Sequence, residues 1–160
     1  MVSTTFKNLP EVKKKKIEAA LIKEFGAYPL HDAQVARIVK DAGIARGAFY
    51  KYFDDLKDAY HYVFAKAMRK IHQDRDADIY ETVASFVERV DMSPYRDMIK
   101  LHWQHDPQKV NPKLAELDAK TWARMILAHS TIRECLFDPD NRETYLKRLK
   151  EIASTIEKKA

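Results

Sequence analysis

Gly43 is one of only three glycines in 160 residues, and its place constrains the chain more than any other residue does. Ahead of it, Val35, Ile38, Val39 and Ala42 recur at helical spacing and form one apolar stripe. Behind it a second, shorter set begins at once, with Ile44, Ala48, Phe49, Tyr52 and Phe53. A glycine between two such stripes suits the left-handed turn that ends a helix. Helices joined by so short a turn cannot lie antiparallel. They cross steeply, as in a helix-turn-helix, where the second helix enters the major groove of DNA. That helix leaves Arg46, Gly47, Tyr50 and Lys51 on its free face.

Helical spacing recurs nearly everywhere else and no period-two runs stand out, so the expected fold is all-α. About eight helices are expected. Residues 1–54 should form a three-helix DNA-binding module, and residues 55–160 a C-terminal helical bundle for dimerisation and effector binding. Met1 to Leu9 has little pattern and should fray. Pro10 suits the first turn of a helix striped by Ile17, Ala20, Leu21 and Phe25, ended by Gly26 and Pro29. Asp32 is the expected N-cap of the next helix, and Asp54 or Asp55 of a long one carrying Tyr60, Val63, Phe64, Ala67, Met68 and Ile71. Asp74, Arg75, Asp76 and Asp78 mark a break. Ile79, Val83, Phe86, Val87 and Val90 then stripe a fifth helix, and Ser93-Pro94 starts a sixth. Asp106-Pro107 and Asn111-Pro112 bracket a loop before a helix with Leu114, Leu117, Trp122, Met125 and Ile126, whose pattern extends to Phe137. After the turn Asp138-Pro139-Asp140-Asn141, a last helix runs to Lys158-Lys159.

Charge separates the two parts. The net charge is +5; residues 1–53 hold ten Lys/Arg against five Asp/Glu, whereas residues 54–160 hold nineteen of each. The whole excess sits beside the helix-turn-helix, as a polyanion-binding module requires. Read alone, Lys13 to Lys16 is merely a solvated helix face, but its clustering near the helix-turn-helix pattern favours the functional reading. No apolar run is long enough to span a bilayer and no signal-peptide core is present, so no membrane partner and a cytoplasmic location are expected. The single cysteine, Cys135, fits a reducing compartment.

The run AGIARGAFYKYF, preceded by the apolar stripe and followed by an acid-capped helix, resembles the DNA-binding domain of the TetR family of transcriptional regulators. The matching span is about residues 11–64, and Ala42, Gly43, Gly47, Phe49, Tyr50, Tyr52 and Phe53 carry it. The resemblance implies a TetR-like fold and assigns DNA contacts to Arg46, Gly47, Ala48, Tyr50, Lys51 and Lys57. Chemistry agrees: Arg46 can donate two hydrogen bonds to a guanine edge or a phosphate. Gly47 admits close backbone approach, Tyr50 can reach a phosphate oxygen, and Lys51 and Lys57 add charge. Ala48 stands where the family often has a threonine or serine.

Little recommends catalysis. His102 and His105 lie three apart, a spacing open to a metal but commoner on a polar helix edge. Cys135 has no neighbouring base. No phosphate-cradling glycine loop occurs, so neither enzyme activity nor a cofactor or metal is expected. Phe64, Met68, Phe86, Tyr95, Met98, Trp103, Trp122 and Met125 either fill a core or line a pocket for a small apolar or aromatic effector. The resulting expectation is a sequence-specific repressor. It acts as a homodimer on a near-palindromic duplex, with a dimer surface on the last two helices (Trp122, Met125, Ile132, Tyr145, Leu149, Ile152, Ile156). The alternative is a helical adaptor or co-regulator that binds a protein partner and keeps only weak DNA contacts.

Overall fold

The computed structural model describes residues 2–72, 78–105 and 116–157, and among these it contains helices and no strand. The helices are α1 (Thr4–Lys7), α2 (Glu11–Ala27), α3 (Val35–Ala42), α4 (Arg46–Tyr52), α5 (Leu56–Ile71), α6 (Ile79–Asp91), α7 (Arg96–His105), α8 (Ala119–Phe137) and α9 (Arg142–Glu157). A short 3-10 turn at Pro139–Asn141 joins the last two. The all-α expectation holds. The expected break at Asp74, Arg75 and Asp76, the loop from Asp106 to Pro112, Leu114 and Lys158-Lys159 lie outside the described residues.

The chain divides into two compact units, residues 1–70 with 94–105, and residues 71–93 with 106–160. The first therefore includes α5 up to Lys70, and α7. Its interior gathers Ile17, Leu21 and Phe25 of α2, Ile38 of α3, Phe49 of α4, Ala59 and Val63 of α5, and Met98 and Ile99 of α7. These positions follow the 3.6-residue period that places them on one face of each helix. In the second unit α6 supplies Val83, Phe86, Val87 and Val90, α8 supplies Ile132, Cys135 and Leu136, and α9 supplies Leu149 and Ala153.

Three local expectations are corrected. Residues 2–9 do not fray: Phe6 is buried against the rings of Phe53 and Tyr62, with centroids 4.9 and 5.2 Å away. One large aromatic in a polar stretch shows no period, yet its burial contributes on the order of 2–3 kcal/mol. Gly26 does not end α2, which continues through Ala27. A Cβ on Gly26 would lie 3.4 Å from Asp97 Cβ and 3.5 Å from the Met98 nitrogen, which is ordinary van der Waals contact, so α7 packs against this residue of α2 without requiring a glycine.

Asp32 does not cap α3. Gln34 holds the N-cap position without a side-chain bond, and its N–H instead donates to Glu24 Oε1 of α2 at 2.7 Å. Arg37, one turn into α3, donates Nη2 to the same oxygen at 2.6 Å, and its guanidinium covers the Tyr28 ring at 3.8 Å. Glu24 is only 5% exposed. A buried carboxylate needs such partners, and here they fix where α3 starts relative to α2. A second buried carboxylate, Glu18, accepts from Tyr62 Oη at 2.5 Å and Lys66 Nζ at 2.6 Å, pinning α5 to α2. Burial, then the bond to Glu18, pushes the Tyr62 phenol well above its ordinary range.

Candidate nucleic-acid interface

The turn between α3 and α4 depends on its glycine. Gly43 adopts φ +64°, a conformation that L side chains rarely take, and its N–H closes onto the Lys40 carbonyl at 3.3 Å. Ile44 N–H donates to the Val39 carbonyl at 3.0 Å, completing a Schellman-type end. Helix α4 follows after two residues. With seven residues it has two turns, and their two sides differ sharply.

Inward, Phe49 and Tyr52 are buried, and Phe53 just beyond the helix is buried too. Outward, Arg46, Gly47, Tyr50 and Lys51 are exposed, and Ala48 is half-buried at the margin. Arg46 and Tyr50 are four residues apart, as are Gly47 and Lys51, so they form two adjacent rows on one face. Tyr50 is 50% exposed and packs its ring edge-on against Phe49 at 5.4 Å, which limits the arc its hydroxyl sweeps. Nothing lies within 4 Å of a Cβ built on Gly47, so the fold itself does not require glycine there. The open space is available to an approaching phosphate or base edge.

Lys57 is exposed in the first turn of α5. That start is held reciprocally: Asp58 N–H donates to Asp55 Oδ1 at 2.7 Å, and Asp54 N–H donates to Asp58 Oδ2 at 3.2 Å. The lysine run on α2 splits by role. Lys14 donates to the Lys7 carbonyl and to Glu11, both at 3.1 Å, whereas Lys13, Lys15 and Lys16 are exposed. The structure thus brings Arg46, Gly47, Ala48, Tyr50 and Lys51 together on one short helix and sets Lys57 at the head of the next.

Of the apolar residues considered for an effector, Tyr95 and Met98 are buried in the first unit, and Phe64, Met68 and Trp103 are partly exposed there. In the second unit Phe86 is buried, Met125 is partly exposed and Trp122 is 49% exposed. His102, weighed above as a ligand, shares a hydrogen bond with Tyr60 Oη through Nδ1 at 2.9 Å. No metal-holding group of three or more side chains occurs among the described residues. No helix among them is long and apolar enough to cross a membrane.

Fold and site together define a helix-turn-helix module on an all-helical chain. Residues 17–58 match the family model described as bacterial regulatory proteins, tetR family. The fold is similar to that of a TetR family transcriptional regulator from Chloroflexus aurantiacus, with TM-score 0.51, 18% identity, and 98% of this chain and 97% of that one covered. It is also similar to a TetR-family regulator from Haemophilus influenzae (TM-score 0.51, 15% identity, 86% and 94% covered). A third likeness is to the fatty acid degradation regulator FadR from Bacillus halodurans (TM-score 0.51, 16% identity, 89% and 96% covered). No curated protein sequence matches the chain. Residues 17–58 thus match the tetR-family model, and the chain shares its all-helical fold with solved TetR-family transcriptional regulators.

Proposed function

We propose that this protein is a repressor that binds a near-palindromic DNA site as a homodimer. The observation that carries the reading is the two-sidedness of α4: Phe49 and Tyr52 are consumed by packing, while a guanidinium, the Tyr50 phenol, an ammonium and a bare backbone face solvent together. Arg46 reads a guanine edge, Tyr50 and Lys51 fix register on phosphates, and Lys57 adds a further phosphate contact. One such helix touches too little DNA for tight specific binding, so two copies engage successive major grooves about 34 Å apart.

The second unit supports the homodimer. Trp122 and Ile152 are exposed, with Met125, Tyr145 and Ile156 partly so. Ile132 and Leu149, expected on the same surface, are buried within the unit and serve its own core. A small apolar or aromatic effector would control DNA affinity only by binding one arrangement of the dimer more tightly than another. Within the first unit, the partly exposed Phe64, Met68 and Trp103 are the side chains that would meet it.

The test is selection from random duplexes, followed by anisotropy titration of the enriched duplex against purified protein across a salt series. Binding should weaken steeply as salt rises, since each neutralised phosphate releases counterions. A flat titration at low salt, with a protein partner retained from solution instead, would favour the adaptor alternative.

A further inference from the structure

We propose that Ser3, with helix α1, clamps the far end of α4 and is a positioning residue for DNA reading; the inference rests on the function proposed above. The last four carbonyls of any helix lack intrahelical donors, and a seven-residue helix is too short to hold its shape alone. In α4 those carbonyls belong to Phe49, Tyr50, Lys51 and Tyr52. Phe53 N–H takes the first at 2.9 Å. Ser3 takes two more: its hydroxyl donates to the Lys51 carbonyl at 2.7 Å, and its N–H donates to the Tyr52 carbonyl at 3.1 Å.

The same hydroxyl accepts from Phe6 N–H at 3.2 Å, so one side chain starts α1 and finishes α4. Phe6 anchors this arrangement, its ring 5.7 Å from that of Tyr52 and 4.9 Å from that of Phe53. Tyr50 and Lys51 sit in the turn that the clamp closes. Freed of it, that turn would fray, and the two side chains would lose fixed positions on the phosphates. The residues that read DNA therefore depend on a segment more than forty positions earlier in the sequence.

Substitutions at Ser3 separate the clamp from general support. Ser3→Thr keeps both donors. Ser3→Asp still accepts from Phe6 N–H but cannot donate to Lys51. Ser3→Pro removes both donors and the acceptor for Phe6 N–H. Its φ of −67° suits the ring, but the ring's Cδ also pushes the Tyr52 carbonyl away, so it is the most severe of the three. Thr4→Asp adds the same charge at an exposed neighbour and controls for repulsion from DNA. We expect Ser3→Thr to bind the selected duplex like the parent. Ser3→Asp and Ser3→Pro should weaken binding roughly three- to tenfold, and Ser3→Asp more than Thr4→Asp.

In the Ser3→Pro background Tyr50→Phe should cost less than it does alone, a coupling that general destabilisation would not produce. Amide exchange in the variant should rise at Tyr52 and Phe53 and not in α2 or α3. Unchanged affinity and exchange in Ser3→Pro, or exchange raised equally across α2 and α3, would overturn the inference. A parent protein that bound no duplex at all would overturn the DNA reading and the use assigned to the clamp; exchange would still show whether the clamp itself exists.

Discussion

The two compact units bury their apolar residues in different ways. In the first, carboxylates are drawn inside: Glu18 is 7% and Glu24 5% exposed, and each ties α2 to a later helix through ion pairs and hydrogen bonds. In the second, only the last third of α8 is sealed, at Thr131, Ile132, Cys135 and Leu136. Its earlier turns leave Trp122 exposed and Ala123 to Ala128 half-exposed. The first unit uses its buried carboxylates to fix helix positions, and the outer face of α4 is part of its solvent surface. The second leaves apolar surface in the open, as a monomer seldom does without a use for it. On the function proposed above, the first unit would be the rigid reader and the second the adhesive body of a dimer.

The largest expected effect falls on the reader's outer face. Arg46→Ala should cost about 1–3 kcal/mol per head if the guanidinium bridges a guanine, and a dimer carries the loss twice. Tyr50→Phe should cost less and should weaken binding similarly on all duplexes, since a phosphate contact carries no sequence information. Anisotropy titrations with the selected and a scrambled duplex measure both effects. If Arg46→Ala bound both duplexes as the parent does, α4 would not be the reading helix.

Next comes the rivet inside the reader. Glu18→Ala strips Tyr62 and Lys66 of their common acceptor and should destabilise the protein by about 2–3 kcal/mol, measured by urea denaturation. Glu18→Leu with Tyr62→Phe and Lys66→Met should recover most of that, because an apolar cluster needs no partners. No recovery in the triple variant would mean that the polar cluster around Glu18 is not what joins α5 to α2. The adhesive body gives a smaller effect on folding and a plain one on assembly. Trp122→Glu with Ile152→Glu should leave helicity unchanged and shift the protein to a monomer in sedimentation. Duplex affinity should fall with it.

How far the sequence foretold this comparison depends on the distance over which each feature acts. The helix-turn-helix was legible because its signals are local: a stripe, a left-handed glycine and a second stripe within nineteen residues, Val35 to Phe53. Asp55 as a cap was legible for the same reason. Glu24 was not, because it accepts from Gln34 N–H, ten residues later at the head of α3, and sits within an otherwise ordinary helical pattern. Asp32, nearer in sequence, was the natural choice for the cap of α3 and does not fill it. Phe6 and Ser3 carry no periodicity, and their partners at Lys51 to Phe53 appear only in three dimensions. Gly26 looked like a helix end because glycine often is one, whereas it lies inside α2, facing Asp97 and Met98 of α7. In the candidate interface, exposure of Arg46, Tyr50 and Lys51 follows from helical phase alone. Composition gave no such guide for the apolar residues of α5 to α8, where buried Met98 and half-exposed Met125 are the same residue type.

The smallest expected effect tests whether the open part of α8 is held from its own end. Asp118 caps α8, accepting from the N–H groups of Lys120 and Thr121, both at 3.0 Å, and from Thr121 Oγ1 at 2.6 Å. The bond from the Thr121 side chain, then that from its backbone N–H, holds the carboxyl below its usual value. A carboxyl lowered by folding stabilises the native state while ionised, so its contribution is present above the ordinary carboxylate range and lost as pH falls through the lowered value. Acidification from about pH 4 downward should therefore loosen the first turn of α8, seen as faster amide exchange at Lys120 and Thr121 after correction for intrinsic rates. Asp118→Asn keeps an acceptor that does not titrate near that range, so the same amides should show little dependence on acid. Equal acid sensitivity in the parent and in Asp118→Asn would place the titrating group elsewhere, and the exposed turns around Trp122 would then owe their shape to something other than this cap.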